Sequence, residues 1–115
     1  MRAVANMITE FIYLGHDNPI NKILKADGVA IALTSVTRMT LTFGAKLIDS
    51  DNGDADPIRW IKPGYATGEF RMFLGAETIS PGPYQVPLIV YDPTNPNGIF
   101  WGRIPITVIA EVEAT

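Results

Sequence analysis

The chain has 115 residues, of which 47% are hydrophobic and 18% are charged, which is typical of a folded domain and not of a disordered segment. The net charge of -3 argues against binding to nucleic acid, because phosphate backbones require clustered positive charge. The absence of cysteine and the presence of one histidine exclude disulfides, thiol chemistry, cysteine-ligated zinc and any site built on two histidines.

Ten glycines and nine prolines separate short runs rich in Ile, Val, Thr, Phe and Tyr, which is typical of strands joined by turns. In chain order, the predicted strands cover residues 8–14, 20–25, 36–43, 46–48, 58–61, 69–74, 84–91 and 99–111. An apolar run over 29–33 is interpreted as a short segment packed on the core. Seven to eight short strands predict an all-β fold, an immunoglobulin-like antiparallel β-sandwich, as a single domain over residues 1–115.

Several of these runs alternate between apolar and polar residues, which assigns one face of each strand to the core. The side chains predicted to face the core are Met39, Leu41 and Phe43; Phe70, Met72 and Leu74; Tyr84, Val86, Leu88 and Val90; and Phe100, Ile104, Ile106 and Val108. Pro87 has no N–H group, which indicates an edge or a bulge at that point. The Asn97-Gly98 pair favours positive φ and predicts the tip of the last hairpin.

A Pro-Gly-Pro corner over residues 81–83 directly precedes Tyr84. In Greek-key sandwiches, a tyrosine at such a corner donates its hydroxyl to upstream backbone while its ring packs in the core. We expect this arrangement at Tyr84, and a core aromatic residue after an ordinary turn is the alternative.

The sequence offers little support for catalysis or for a bound cofactor. No serine lies in a nucleophile motif, His16 lies in a turn, and no glycine-rich phosphate loop is present. The acidic loop over 49–57 could bind Ca²⁺, but its spacing departs from the EF-hand pattern, so a solvated hairpin loop is the alternative. We expect no enzyme activity, no cofactor and no metal, and calcium binding at this loop stays an open question.

Aromatic residues on strand faces opposite the predicted core are the remaining functional signal. Exposed aromatic side chains lower solubility unless a partner covers them, and tryptophan and tyrosine are enriched at protein interfaces. The predicted interface residues are Trp60, Tyr65, Tyr91 and Trp101. Stacking on a carbohydrate and local cover by loops of the same chain are the alternatives.

A rhythm of strands and turns extends over residues 18–108. It is carried by Asn18-Pro19-Ile20, by the segments 24–28, 33–43, 68–70, 79–84 and 90–92 with Leu74, and by Asn97-Gly98-Ile99-Phe100-Trp101-Gly102. In this rhythm the chain resembles small immunoglobulin-like structural proteins from the tail or baseplate of phages and prophages, of the upper-baseplate-protein kind. The resemblance implies assembly without catalysis, often as symmetric rings.

The sequence therefore predicts a non-enzymatic subunit or adaptor of a phage or prophage tail or baseplate particle. The expected partners are other copies of the chain or other particle proteins, with no nucleic acid and no membrane. We expect it in the virion or the host cytoplasm, because neither a signal peptide nor a run of about 20 apolar residues is recognisable. A carbohydrate-binding module that uses the exposed aromatics and an accessory immunoglobulin-like domain of a surface protein are the alternatives.

Overall fold

The computed structural model describes residues 2–4, 8–61 and 65–110, and of Tyr65 it describes the backbone alone. This part of the chain contains ten strands and one short 3₁₀ helix. In chain order they are β1 (Arg2–Val4), β2 (Glu10–Tyr13), β3 (Ile20–Ala26), β4 (Val29–Ala30), β5 (Arg38–Phe43), β6 (Lys46–Ser50), β7 (Ile58–Arg59), the 3₁₀ helix (Tyr65–Thr67), β8 (Glu69–Met72), β9 (Gly82–Asp92) and β10 (Asn95–Ile109).

The strands form two five-stranded sheets, which confirms the prediction of an all-β fold. In the first sheet the order is β1-β3-β8-β7, with β4 also paired to β3, and every described pair is antiparallel. In the second sheet the order is β2-β10-β9-β5-β6. This second sheet is mixed, because β2 runs parallel to β10 while the other neighbours are antiparallel, a departure from the purely antiparallel arrangement that we predicted.

One hydrophobic core lies between the two sheets and draws side chains from both. In the segments 39–43, 70–74 and 86–90, every apolar side chain predicted to face the core is buried, which confirms that part of the prediction. On the opposite face of β5, Thr40 is also buried, although the alternation predicts that it faces solvent. Full burial of an apolar side chain contributes about 1.5–3 kcal/mol to stability. These three segments therefore hold the two sheets together and fix which face of each strand remains outside.

Strand β10 changes face at a β-bulge. Its register with β9 shifts between the pairs Phe100–Ile89 and Gly102–Leu88, and Gly102 has a φ of 145°. The extra residue reverses which side chains face the core. An alternation of two residues that is extended from Val108 and Ile106 back across the bulge therefore assigns Phe100 to the wrong face. The prediction that Phe100 faces the core is therefore wrong: Phe100 is 51% exposed, and Trp101 is buried instead.

The tip of the β9–β10 hairpin lies at residues 93 and 94, earlier than the predicted Asn97-Gly98 pair. The Asp92 side chain fixes this turn, because its Oδ1 accepts hydrogen bonds from the backbone N–H of Thr94 at 2.9 Å and of Asn95 at 2.8 Å. Gly98 does have a positive φ of 85°, but it lies at a second register shift inside β10. The glycine therefore serves a bulge and not the hairpin tip.

The tyrosine corner is confirmed. The Tyr84 hydroxyl donates a hydrogen bond to the backbone carbonyl of Ser80 at 2.7 Å. The Tyr84 ring packs edge-on against Phe43, with ring centroids 5.3 Å apart. The corner therefore ties the start of β9 to the turn before it and to β5.

Replacing Tyr84→Phe should remove the corner hydrogen bond and leave the ring packing in place. We expect a loss of about 0.5–1 kcal/mol in the free energy of unfolding, the net contribution of one partly solvated hydrogen bond. Urea denaturation followed by tryptophan fluorescence measures it. Tyr91→Phe is the matched control, because no hydrogen bond of the Tyr91 hydroxyl is found within the described residues, and equal losses in both variants would contradict the assignment.

Candidate functional site

The mixed sheet has an apolar outer face, which turns away from the core. We define this outer face by its aromatic and aliphatic members, which are Phe11, Tyr13, Leu47, Ile89, Tyr91, Phe100 and Ile109. Phe11, Tyr13, Leu47 and Phe100 are exposed by 41–51%, and the other three are half-buried.

Strand pairing divides these aromatic and aliphatic side chains into groups at opposite ends of the sheet. Tyr13 pairs with Ile109 across the β2–β10 boundary, and Phe100 pairs with Ile89 across the β10–β9 boundary. The rings of Phe11 and Tyr13 also stack on the surface of β2, with centroids 6.5 Å apart and planes inclined by 29°. The outer face therefore carries two separate apolar groups, one around Tyr13 and Ile109 and the other around Phe100 and Ile89.

Two arginines cover part of the outer face. Arg38 lies 4.7 Å from the Tyr91 ring centroid, and Arg103 lies 5.3 Å from that of Phe100. Arg38 also donates two hydrogen bonds of 2.7 Å to the two carboxylate oxygens of Asp49. The hydrogen bond from Arg38 holds the pKa of Asp49 below its ordinary value, since it stabilises the ionised carboxylate.

Two of the four predicted interface residues are buried in the core, so the expectation that they are exposed is wrong. Trp60 is 2% exposed, and its backbone N–H donates to the carbonyl of Gly53, whose Cα faces the indole so closely that a Cβ would overlap it. Trp101 is 5% exposed, and its Nε1–H donates to the backbone carbonyl of Ala3 at 2.9 Å. The surface available to a partner therefore comes from other residues.

Of the remaining two predicted residues, Tyr91 lies on the outer face and is half-buried. The side chain of Tyr65 lies outside the described residues. Phe11, Tyr13, Leu47 and Phe100 are not among the interface residues predicted from the sequence. Phe11 and Tyr13 flank the buried Ile12, so alternation within residues 10–13 was a signal that could have located them.

The acidic loop is folded onto the protein by contacts at its ends and its centre. Asp49 is paired with Arg38, Asp56 with Arg59 at 2.8 Å, and Gly53 packs on Trp60. Over residues 2–4, 8–61 and 65–110, no three His, Cys, Asp or Glu side chains come together in a way that could hold a metal ion.

No protein-family model matches the chain, and neither a curated protein nor a solved structure matches it. In the part of the chain that the structure describes, no pocket is found, and no helix is long and apolar enough to cross a membrane. The geometry of the outer face is therefore the observation from which a function can be argued.

The Arg38–Asp49 pair should make stability depend on pH in the acidic range. The pKa of Asp49 is lower in the folded than in the unfolded chain, so the pair stabilises the fold above about pH 4 and this contribution is lost as the pH falls further. We expect Asp49→Asn and Arg38→Gln to flatten the acid side of the stability curve to a similar extent. Urea denaturation between pH 2 and pH 6 tests this, and an unchanged slope in both variants would contradict it.

Proposed function

We propose that the chain is a non-enzymatic assembly subunit that binds neighbouring subunits through the outer face of its mixed sheet. The observation that carries this proposal is the presence of two groups of exposed aromatic and aliphatic side chains, one at each end of that face. Phe100 is the exposed ring of the group at one end of the sheet, and the Phe11–Tyr13 stack forms the group at the other end. Phenylalanine and tyrosine are both enriched at the cores of protein interfaces, and tyrosine is also enriched among the residues that contribute most to binding.

The free energy available from burying the exposed rings favours assembly through several contacts at once. The exposed parts of three rings, about 100 Å² each, would contribute about 7 kcal/mol if they were fully buried. This is of the same order as the cost of bringing two proteins together, which is about 4–15 kcal/mol. One such contact is therefore weak by itself, whereas a subunit held by two or more neighbours gains from their combined effect.

The finer form of the proposal is a subunit or adaptor of a phage or prophage tail or baseplate, built as an immunoglobulin-like sandwich. The resemblance in strand and turn rhythm supports the kind of particle. The hydrogen bond between Tyr84 and Ser80 supports the sandwich, because this corner recurs in Greek-key sandwiches. A carbohydrate platform has less support, because burial of Trp60 and Trp101 removes the two largest rings from the surface.

Replacing Phe100→Ser should weaken association and leave the fold intact, because about half of this ring is exposed and contributes little to the core. We expect about a tenfold weaker association, and light scattering after size exclusion over a range of concentrations measures it.

Trp101→Ala is the neighbouring control, since this buried change should cost about 3–5 kcal/mol of folding stability. A wild-type chain that stays monomeric at every concentration, or a Phe100→Ser variant that associates like the wild type, would contradict the proposed use of the outer face.

A further inference from the structure

One row of side chains on the outer face crosses four neighbouring strands of the mixed sheet. Strand register aligns its members from one side to the other as Phe100 on β10, Ile89 on β9, Thr40 on β5 and Asp49 on β6. Neighbouring strands lie about 4.8 Å apart, so the Cα atoms of Phe100 and Asp49 are about 14 Å apart. We define the midline of this face as the line between β9 and β5, from which both ends of the row are equally distant.

The next row has Arg103 at its β10 end and Leu47 at its β6 end, because their partners on β9 and β5 each lie two residues from those of the first row. Phe100 therefore adjoins Arg103 on one side of the midline, and Leu47 adjoins Asp49 on the other. Phe100 and Leu47 are each 51% exposed. Each side of the midline thus carries one exposed apolar side chain and one charged side chain, and the two charges are opposite.

Both charged side chains can bind a further group. Among the residues that the structure describes, Arg103 has no carboxylate partner, and its guanidinium lies over the Phe100 ring, 5.3 Å from the centroid. The Asp49 carboxylate accepts two hydrogen bonds from Arg38, but its side chain is 41% exposed. A carboxylate has about four lone-pair sites, so Asp49 can accept another charged donor.

We propose that two copies of this chain pack face to face through these two rows, about a two-fold axis that runs along the midline. The axis exchanges the two sides of the face, so β10 of one copy lies over β6 of the other. Phe100 and Arg103 of one copy then lie over Leu47 and Asp49 of the other as a group, and this contact occurs twice. The inference rests on the proposed function, because it names a second copy as the neighbour that the outer face binds.

A second copy is the occupant that fits, because charges of opposite sign lie at equal distances from the midline. A two-fold axis along the midline places each cation against an anion and each exposed apolar side chain against another. Each contact lies about 7 Å from the axis, one and a half strand spacings. Near the axis, Ile89 of one copy lies over Thr40 of the other, and neither is charged. Arg38, which also lies near the axis, is already paired with Asp49.

The first test sets like charges against each other across the proposed contact. Leu47→Lys places a lysine over Arg103 of the other copy, and Arg103→Glu places a glutamate beside Asp49. We expect each variant to dimerise at least tenfold more weakly than the wild type by light scattering, with melting temperatures within a few degrees, because both side chains are exposed. Lys25→Glu is the matched control: it makes the same change of charge on the first sheet and should dimerise like the wild type.

The second test mixes the two variants in equal amounts. A mixed pair contains one contact in which the new glutamate of one chain lies over the new lysine of the other, and a second contact that is the same as in the wild type. We expect the mixture to form pairs at least tenfold more tightly than either variant alone, with a mass of two chains. The rescue also shows that both Leu47→Lys and Arg103→Glu are folded.

Three results would overturn the inference. The first is dimerisation that neither substitution weakens, and the second is a mixture that associates no better than the separate variants. The third is a mixture that grows beyond two chains, because a head-to-tail contact forms rings or open chains, whereas a two-fold contact closes as a pair.

Failure of the proposed function gives a different pattern. Association that is weakened by Phe100→Ser, but not by Leu47→Lys or Arg103→Glu, would reject the face-to-face pair and leave the outer face as the binding surface for a different neighbour. A wild type that stays monomeric at every concentration would contradict both proposals.

Discussion

The bulge at residues 100–102 of β10 is the constraint on which both the core and the outer face depend. One additional residue turns Trp101 inward, where its indole N–H donates to Ala3 in the other sheet and so links β10 to β1. The same residue turns Phe100 outward, beneath Arg103. Because β10 lies between β2 and β9, the bulge gives one strand an anchor between the sheets and an exposed ring on adjacent residues.

The all-β class and much of the core could be predicted from the sequence, because every second residue in 39–43, 70–74 and 86–90 is apolar. Regular alternation is local information, and burial follows it directly. Two predictions for the last hairpin, the position of its tip and the face of Phe100, were wrong because local features interrupt the two-residue alternation. Asp92 fixes the turn through its side chain, and the bulge shifts the register next to Pro87, which the sequence did mark as a point of irregularity.

The sequence predicts that aromatic residues form the candidate site, but it does not predict which aromatic residues these are. Aromatic composition indicates that some rings have a role outside the core, but it does not distinguish exposed from buried ones. Trp60 directly follows a strand of only two residues, which is too short to show an alternation that would predict the face on which its ring lies. The ring is covered by Gly53 of the acidic loop, a contact that the sequence does not show. The exposure of Phe11 and Tyr13 depends on the pairing of β2 with β10, a contact between distant parts of the chain.

The two edges of the mixed sheet differ in where their charged side chains lie. A buried ion pair such as Glu10–Lys22 loses much of its Coulomb energy to desolvation, and Oε2 of Glu10 accepts no hydrogen bond from the residues that the structure describes, so the pair is a poor source of stability. Its effect is instead to hold a charge away from the edge at β2, whereas Asp49 and Lys46 keep the edge at β6 charged. The two ion pairs therefore differ in position: Arg38–Asp49 lies at the exposed β6 edge of the mixed sheet, and Glu10–Lys22 joins β2 of the mixed sheet to β3 of the other sheet.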